Sequence, residues 1–188
     1  MGIATRGLTY EDYMCDPEEM RRYDILDGEK IYMPNPTIRH QDLLWNLGAL
    51  LRTWQQAGHP GKVVVAPCDV LIRRSPLRTR QPDILFISAV RLGDRRLDDP
   101  APLEPSPELV VEILLPSETR RVQSGKLADY CGVDVQECWV VSPGEQTVEI
   151  LRLSPDGAKS MGVFSGGQTA QSSIFPDLCV DITAVFAP

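Results

Sequence analysis

The chain has 188 residues, 43% of them hydrophobic and 24% charged, with a net charge of −7. That length allows one good-sized core and is too short for two ordinary domains, so a single domain over 1–188 is expected, and the composition excludes a disordered chain. The acidic balance argues against non-specific nucleic-acid binding by the whole surface; no apolar run reaches the ~20 residues of a membrane helix, and without a signal-peptide core cytoplasmic residence is expected.

In chain order, Thr9 to Met20 is predicted as a short helix, capped by Thr9 with Glu11 and Asp12 in its first turn. Tyr23 to Met33 carries Asp27-Gly28 between two apolar stretches, the strongest local hairpin signal in the chain. Pro34 and Pro36 end it. From about Thr37 to Ala57, Leu43, Leu44, Leu47, Leu50, Leu51 and Trp54 recur at three and four. That spacing predicts a helix with one buried stripe, stopping at Gly58. Lys62 to Ile72, Gln81 to Ser88 and Glu108 to Leu115 are predicted strands, with an exposed, acid- and proline-rich loop from Asp98 to Pro107. A helix over Thr119 to Cys131 and a short strand over Glu137 to Val141 follow. Ser154-Pro155-Asp156-Gly157 then joins Thr147–Leu153 to Ala158–Phe164 as a second hairpin, and a last extended stretch lies around Leu178 to Ile182. The order predicts an α/β chain of the α+β kind, a mixed sheet with a helix on each face.

Two acids interrupt the strand-like runs: Asp83 in Gln81-Pro82-Asp83-Ile84-Leu85-Phe86-Ile87, and Glu112 in Leu109-Val110-Val111-Glu112-Ile113-Leu114. A buried, unpaired carboxylate is costly, so each needs a cation, a metal or a hydrogen-bond donor. Lys126 follows on the next predicted helix. Neighbouring strands lie about 4.8 Å apart and can bring the two acids together. Magnesium favours such hard oxygen ligands, one or two per ion with water completing the shell, and a lysine there can hold the attacking water or offset developing negative charge. These are the parts of a metal-dependent phosphodiesterase. A structural ion network uses the same residue types, and spacing alone does not choose between them. Two carboxylates brought together without a cation repel, so one should have a raised pKa.

Residues 73 to 96 hold seven arginines against two aspartates, a local balance of +5, so the remainder of the chain carries −12. This stretch is either a solvated turn or a phosphate-contacting patch in which Arg73, Arg74, Arg78 and Arg80 are the nucleic-acid-binding candidates. Asp69, in Ala66-Pro67-Cys68-Asp69-Val70, is expected to be paired in the ordinary way. Five cysteines without a C-x-x-C pair, beside only two histidines, argue against a structural zinc site and read as small buried thiols.

An ordered set of segments carries a resemblance. Tyr23-Asp24-Ile25-Leu26-Asp27-Gly28-Glu29, Arg39-His40-Gln41, Pro82-Asp83, Val110-Val111-Glu112-Ile113-Leu114, Lys126 with Tyr130, Glu137-Cys138-Trp139-Val140-Val141 and Phe175-Pro176-Asp177-Leu178 occur in this order. Together they resemble the Uma-type restriction-endonuclease family, within the PD-(D/E)xK nuclease superfamily. The resemblance implies a restriction-endonuclease-like fold, a homodimer, and magnesium- or manganese-dependent hydrolysis of nucleic acid, with DNA the expected substrate. It implies Asp83 and Glu112 as metal ligands. Leu114 stands where the superfamily's lysine is usual, and the role passes to Lys126. His40 matches a family position at the start of the first long helix, from which it could approach the phosphate or bind a carboxylate, and Asp24 stands where the family usually has glutamate. Val122 and Gly125 replace acidic residues common near the lysine, which weakens the support of its helix. The alternatives are a catalytically weak dimeric module binding nucleic acid or protein on the same fold, and a structural protein with a buried ion network.

Overall fold

Asp27 and Gly28 both adopt left-handed backbone, with φ of 55° and 86°, the geometry that lets a two-residue turn follow the twist of its strands. They join β1 (Tyr23–Leu26) to β2 (Glu29–Tyr32), as predicted. The computed structural model describes residues 6–16, 19, 21–104, 106–116 and 118–187. Before this hairpin, α1 (Tyr10–Met14) starts in a reciprocal capping box between Thr9 and Asp12. It is shorter than the predicted Thr9–Met20, of which residues 17, 18 and 20 lie outside the described residues.

Helix α2 (Ile38–Gln56) is capped by the Thr37 side chain and buries Leu43, Leu47, Leu51 and Trp54, while Leu44 and Leu50 pack at the margin. The stretch predicted as one strand from Lys62 to Ile72 is two, β3 (Gly61–Val65) and β4 (Val70–Arg73), in different sheets. Pro67 stands between them, and a proline has no N–H to continue a ladder. Likewise β5 (Arg78–Arg80) precedes Pro82, and β6 starts only at Ile84 (Ile84–Ser88), followed by a single short helix, α3 (Ala89–Leu92). The loop expected to be exposed from Asp98 to Pro107 is pinned at Leu103, which is buried and exchanges backbone hydrogen bonds with Asp69 and Leu71.

The central sheet then takes β7 (Leu109–Ile113), a crossover through α4 (Arg120–Cys131), and β8 (Glu137–Ser142) parallel to β7. A crossover of this length is what a parallel pair requires. The hairpin of β9 (Thr147–Ser154) and β10 (Gly157–Ser165) adds two more strands, and β11 (Thr169–Gln171), β12 (Cys179–Asp181) and α5 (Ile182–Val185) close the described chain. A six-stranded mixed sheet runs β10-β9-β8-β7-β6-β3, a four-stranded antiparallel sheet runs β2-β1-β5-β4, and β11 pairs with β12 alone.

Period-two alternation decides what each face of the large sheet buries. Ile84, Phe86, Leu109, Val111, Trp139 and Ile150 turn toward α2 and α5. Leu85, Ile87, Val110, Cys138, Val140 and Leu151 pack with Tyr130 and Cys131 of α4. By the same alternation Asp83 and Glu112 fall on the α4 face. A helix thus covers each face, as predicted. Among the described residues no helix is long and apolar enough to cross a membrane.

Leu47 has no exposure, whereas Trp45 on the same helix is 76% exposed. Leu47→Ala is expected to lower unfolding free energy by about 2–5 kcal/mol, read from the urea denaturation midpoint.

Candidate active site

Asp83 sits just before β6, where its own N–H bonds to the Val111 carbonyl at 3.1 Å. The pairing of Ile84 with Val111 therefore sets Asp83 beside the Glu112–Ile113 end of β7. Asp83 Oδ2 accepts the Ile113 backbone N–H at 2.7 Å. Asp83 Oδ1 accepts from Arg22 Nη1 at 2.7 Å, with His40 Nε2 3.3 Å away. Arg22 also donates to the Gln81 carbonyl at 2.9 Å, so it braces the segment that leads into Asp83.

Glu112 is held from α4. Lys126 Nζ donates to Oε2 at 2.7 Å and the Tyr130 hydroxyl donates to Oε1 at 2.5 Å. The four-residue spacing of Lys126 and Tyr130 puts both on one face of the helix. Lys126 lies a further 3.1 Å from Glu118 Oε1. A cavity of ≈ 20 Å³ opens among Arg22, His40, Asp83, Glu112, Glu118 and Lys126, roughly the room of one water.

Burial would raise the Asp83 carboxyl, but the His40 hydrogen bond, the Arg22 charge and the Ile113 N–H together hold it below the usual carboxylate range. Glu112 moves the other way. Its burial raises it, the nearby Asp83 charge adds to that, and Lys126 and Tyr130 only partly offset them. Burial would lower Lys126, yet Glu112 and Glu118 keep the ammonium charged. Two carboxylates on one face are thus driven apart in proton affinity.

Asp83, Glu112, Lys126 and His40, read from the sequence, come together here. Asp24 does not join them: it accepts from Arg80 Nη1 at 2.6 Å and from the Gln81 N–H at 3.0 Å, a buried pair behind the cluster. The four candidate nucleic-acid-binding arginines do not line this cavity either. Arg73 pairs with Asp27, Arg74 with Glu104, Arg78 with Asp27 and Asp129, and Arg80 with Asp24 and Asp129. Arg80 is 5% exposed at its side chain and closed to an outside phosphate. Sequence reading missed Arg22 and Glu118, which no local pattern marks. Tyr130, named with Lys126 in the family resemblance, is buried with its hydroxyl on Glu112, as a buried hydroxyl needs a partner.

Among the described residues, no group of three or more His, Cys, Asp and Glu side chains could enclose a metal. The cluster still suits a hard divalent cation. It sets the carboxylates of Asp83, Glu112 and Glu118 against the permanent charges of Arg22 and Lys126, and magnesium needs only one or two carboxylates with water for the rest.

A family model described as "Uma2: Putative restriction endonuclease" matches residues 10–183, and the chain belongs to that family. Among solved structures it is similar to a protein of Anabaena variabilis titled a putative nuclease belonging to DUF820. The TM-score is 0.76 at 17% identity, over 96% of this chain and 98% of that one. At that identity the likeness speaks for the fold, which is restriction-endonuclease-like. No curated protein matches.

The Lys126 side chain is 12% exposed and that of its partner Glu112 6%. Lys126→Met should cost about 3–5 kcal/mol, because it strands a buried charge. The loss should be greatest at alkaline pH and shrink as pH falls through the raised pKa of Glu112, where the acid takes up a proton. Adding Glu112→Gln to Lys126→Met should recover most of it. Chemical denaturation of the three proteins between pH 5 and 9 provides the measurement.

Proposed function

We propose that this protein is a divalent-metal-dependent endonuclease that hydrolyses phosphodiester bonds of nucleic acid, with DNA as substrate, and that it works as a single restriction-endonuclease-like domain in the cytoplasm. The observation that carries this reading is the convergence of Asp83 and Glu112 from adjacent strands, with Lys126 at 2.7 Å from Glu112. Family membership and the fold support the same class of chemistry.

Magnesium or manganese held by Asp83 and Glu112 would supply Lewis-acid polarisation of the phosphate and a more acidic water. The chain's own groups set the stage for that chemistry. Asp83 stays ionised because Arg22, His40 and the Ile113 N–H all favour its anion. Tyr130 fixes the rotamer of Glu112 from the side opposite Lys126. Lys126 Nζ, which has three protons to donate, is the cation available to orient a water or meet charge developing on the phosphate. His40 acts on Asp83 rather than on substrate, since its Nε2 faces the Asp83 carboxylate.

A second reading, a binding module with little turnover, is favoured by one observation: every oxygen of Asp83 and Glu112 already has a donor from the chain. Cleavage of DNA and RNA substrates with magnesium, beside Asp83→Ala and Glu112→Ala, separates the two. The nuclease reading expects activity in the wild type and a loss of at least about 100-fold in each variant, with fold retained by circular dichroism. Calorimetric titration to several millimolar supplies the independent readout. If the wild type takes up neither magnesium nor manganese, with or without nucleic acid, the binding-module reading replaces it.

The homodimer in this reading is supported by the exposed face of α2. Ile38 is 82% and Trp45 76% exposed there, and Trp45 stands beside Val65 of the edge strand β3 around an apolar hollow of ≈ 450 Å³. Trp45→Arg is expected to convert a dimer to monomers in light scattering after size exclusion. A wild type that elutes as a monomer at about 100 μM, well above ordinary dimer affinities, would remove the dimer.

A further inference from the structure

Lys126 stands between two carboxylates, and all three side chains line the same small hollow. Its Nζ donates to Glu112 Oε2 at 2.7 Å and lies 3.1 Å from Glu118 Oε1. The two contacts are not equivalent. The one to Glu118 lacks hydrogen-bond geometry, and Glu118 Oε1 has no hydrogen-bond donor among the described residues. Glu118 is nonetheless turned inward, with its side chain 9% exposed. The backbone fixes it there, because its N–H bonds to the Leu115 carbonyl at 2.9 Å and Thr119 caps α4 immediately after it. Among the described residues no other carboxylate lies within ion-pair distance of Lys126.

A divalent cation on Glu112 Oε2 would meet the ammonium already there, and two positive charges at one oxygen repel. Lys126 cannot answer by swinging into water. Its side chain is 12% exposed, and a buried charge stripped of its partner is strongly destabilising. A second acceptor within reach removes that penalty, and Glu118 Oε1 is the one at hand. The flexible stem of a lysine lets Nζ change partner while α4 stays in place.

We infer that Glu118 is a positioning residue for Lys126, receiving its ammonium when Glu112 Oε2 turns to a divalent cation; the inference rests on the metal-dependent reading above. Tyr130 keeps Glu112 Oε1 throughout, so the carboxylate holds its orientation while its other oxygen changes partner. Lys126 thereby stays charged beside the acids, where its protons can serve a water or a phosphate oxygen. Glu118 touches neither cation nor substrate in this role. The donor already present on Glu112 Oε2 is then a resting contact and no obstacle to the cation.

The chain has only four lysines, Lys30, Lys62, Lys126 and Lys159. Their ammonium signals can therefore be followed singly by NMR of protein carrying isotope-labelled lysine, with Lys126→Arg assigning the one in the cluster. Magnesium titration of the full chain without nucleic acid should move the Lys126 signal saturably, at the affinity that calorimetry gives. Glu118→Gln keeps the shape of the side chain and removes its charge, and should weaken magnesium about tenfold or more. Glu118→Asp keeps an anionic acceptor and should stay within about threefold of the wild type. The wild-type signal keeps the test open should Glu118→Gln fail to fold. A wild type that binds no magnesium removes the nuclease reading and this inference with it. Magnesium binding with an unmoved Lys126 signal, or with equal affinity in a folded Glu118→Gln protein, overturns the role of Glu118 alone.

Discussion

Two carboxylates removed from water on neighbouring strands are the constraint around which this molecule is arranged. Asp83 and Glu112 are 3% and 4% exposed, and at that depth each must be met by charge or by hydrogen bonds. The compensation comes from distant parts of the chain. Arg22 precedes the first hairpin, His40 lies in the first turn of α2, the Ile113 N–H belongs to β7, and Lys126 and Tyr130 come from α4. Both helices that cover the large sheet are thereby tied to one spot on it. A buried charge pair stabilises little by itself but penalises any arrangement that separates its members. The cluster acts here as a specification of register as much as a source of stability.

Helix α4 illustrates how much of that specification is electrostatic. Only Tyr130 and Cys131 of its residues are buried, too small an apolar face to hold twelve residues against a sheet unaided. Asp129 supplies the missing anchor by accepting from Arg78 at 2.9 Å and Arg80 at 2.7 Å, both on β5. Arg80 continues to Asp24, and Asp24 accepts the Gln81 N–H, two residues before Asp83. One guanidinium therefore links the helix that carries Lys126 to the segment that carries Asp83. The Arg80–Asp129 pair holds the end of this helix nearer Tyr130.

The chain's periodicities made most of this legible. Leucines at three and four found α2, apolar strand-like runs found β6 to β8, and the turns at Asp27-Gly28 and Ser154–Gly157 found the two hairpins. Acids set inside apolar strands, a conflict between local propensity and charge, located Asp83 and Glu112, because such conflicts persist where something compensates them. Pairing across long sequence separation left no such trace. Nothing near Arg22 indicates that it meets a carboxylate 61 positions away, and nothing near Arg80 indicates Asp129. The split of Lys62–Ile72 was readable in principle at Pro67, but the apolar residues on both sides concealed that the chain changes sheets there.

The arginine-rich stretch bears on how a polyanion could approach. All of Arg73, Arg74, Arg78, Arg80, Arg91, Arg95 and Arg96 have acidic partners, so the local excess of +5 in the sequence does not appear as a bare positive surface. The pairs are unequal, however. Arg96 and Asp98 are 80% and 72% exposed, and Arg73 and Asp27 about half exposed. Exposed pairs of this kind are worth roughly 0–1 kcal/mol, so a phosphate could take the place of the carboxylate at little cost. Arg80 is fixed in the interior and cannot make that exchange. In the nuclease reading proposed above, electrostatic attraction of nucleic acid would come from a few exchangeable arginines and from a cation on the acidic cluster, against a net charge of −7. That balance disfavours tight, non-specific binding and leaves recognition to contacts made close to the site.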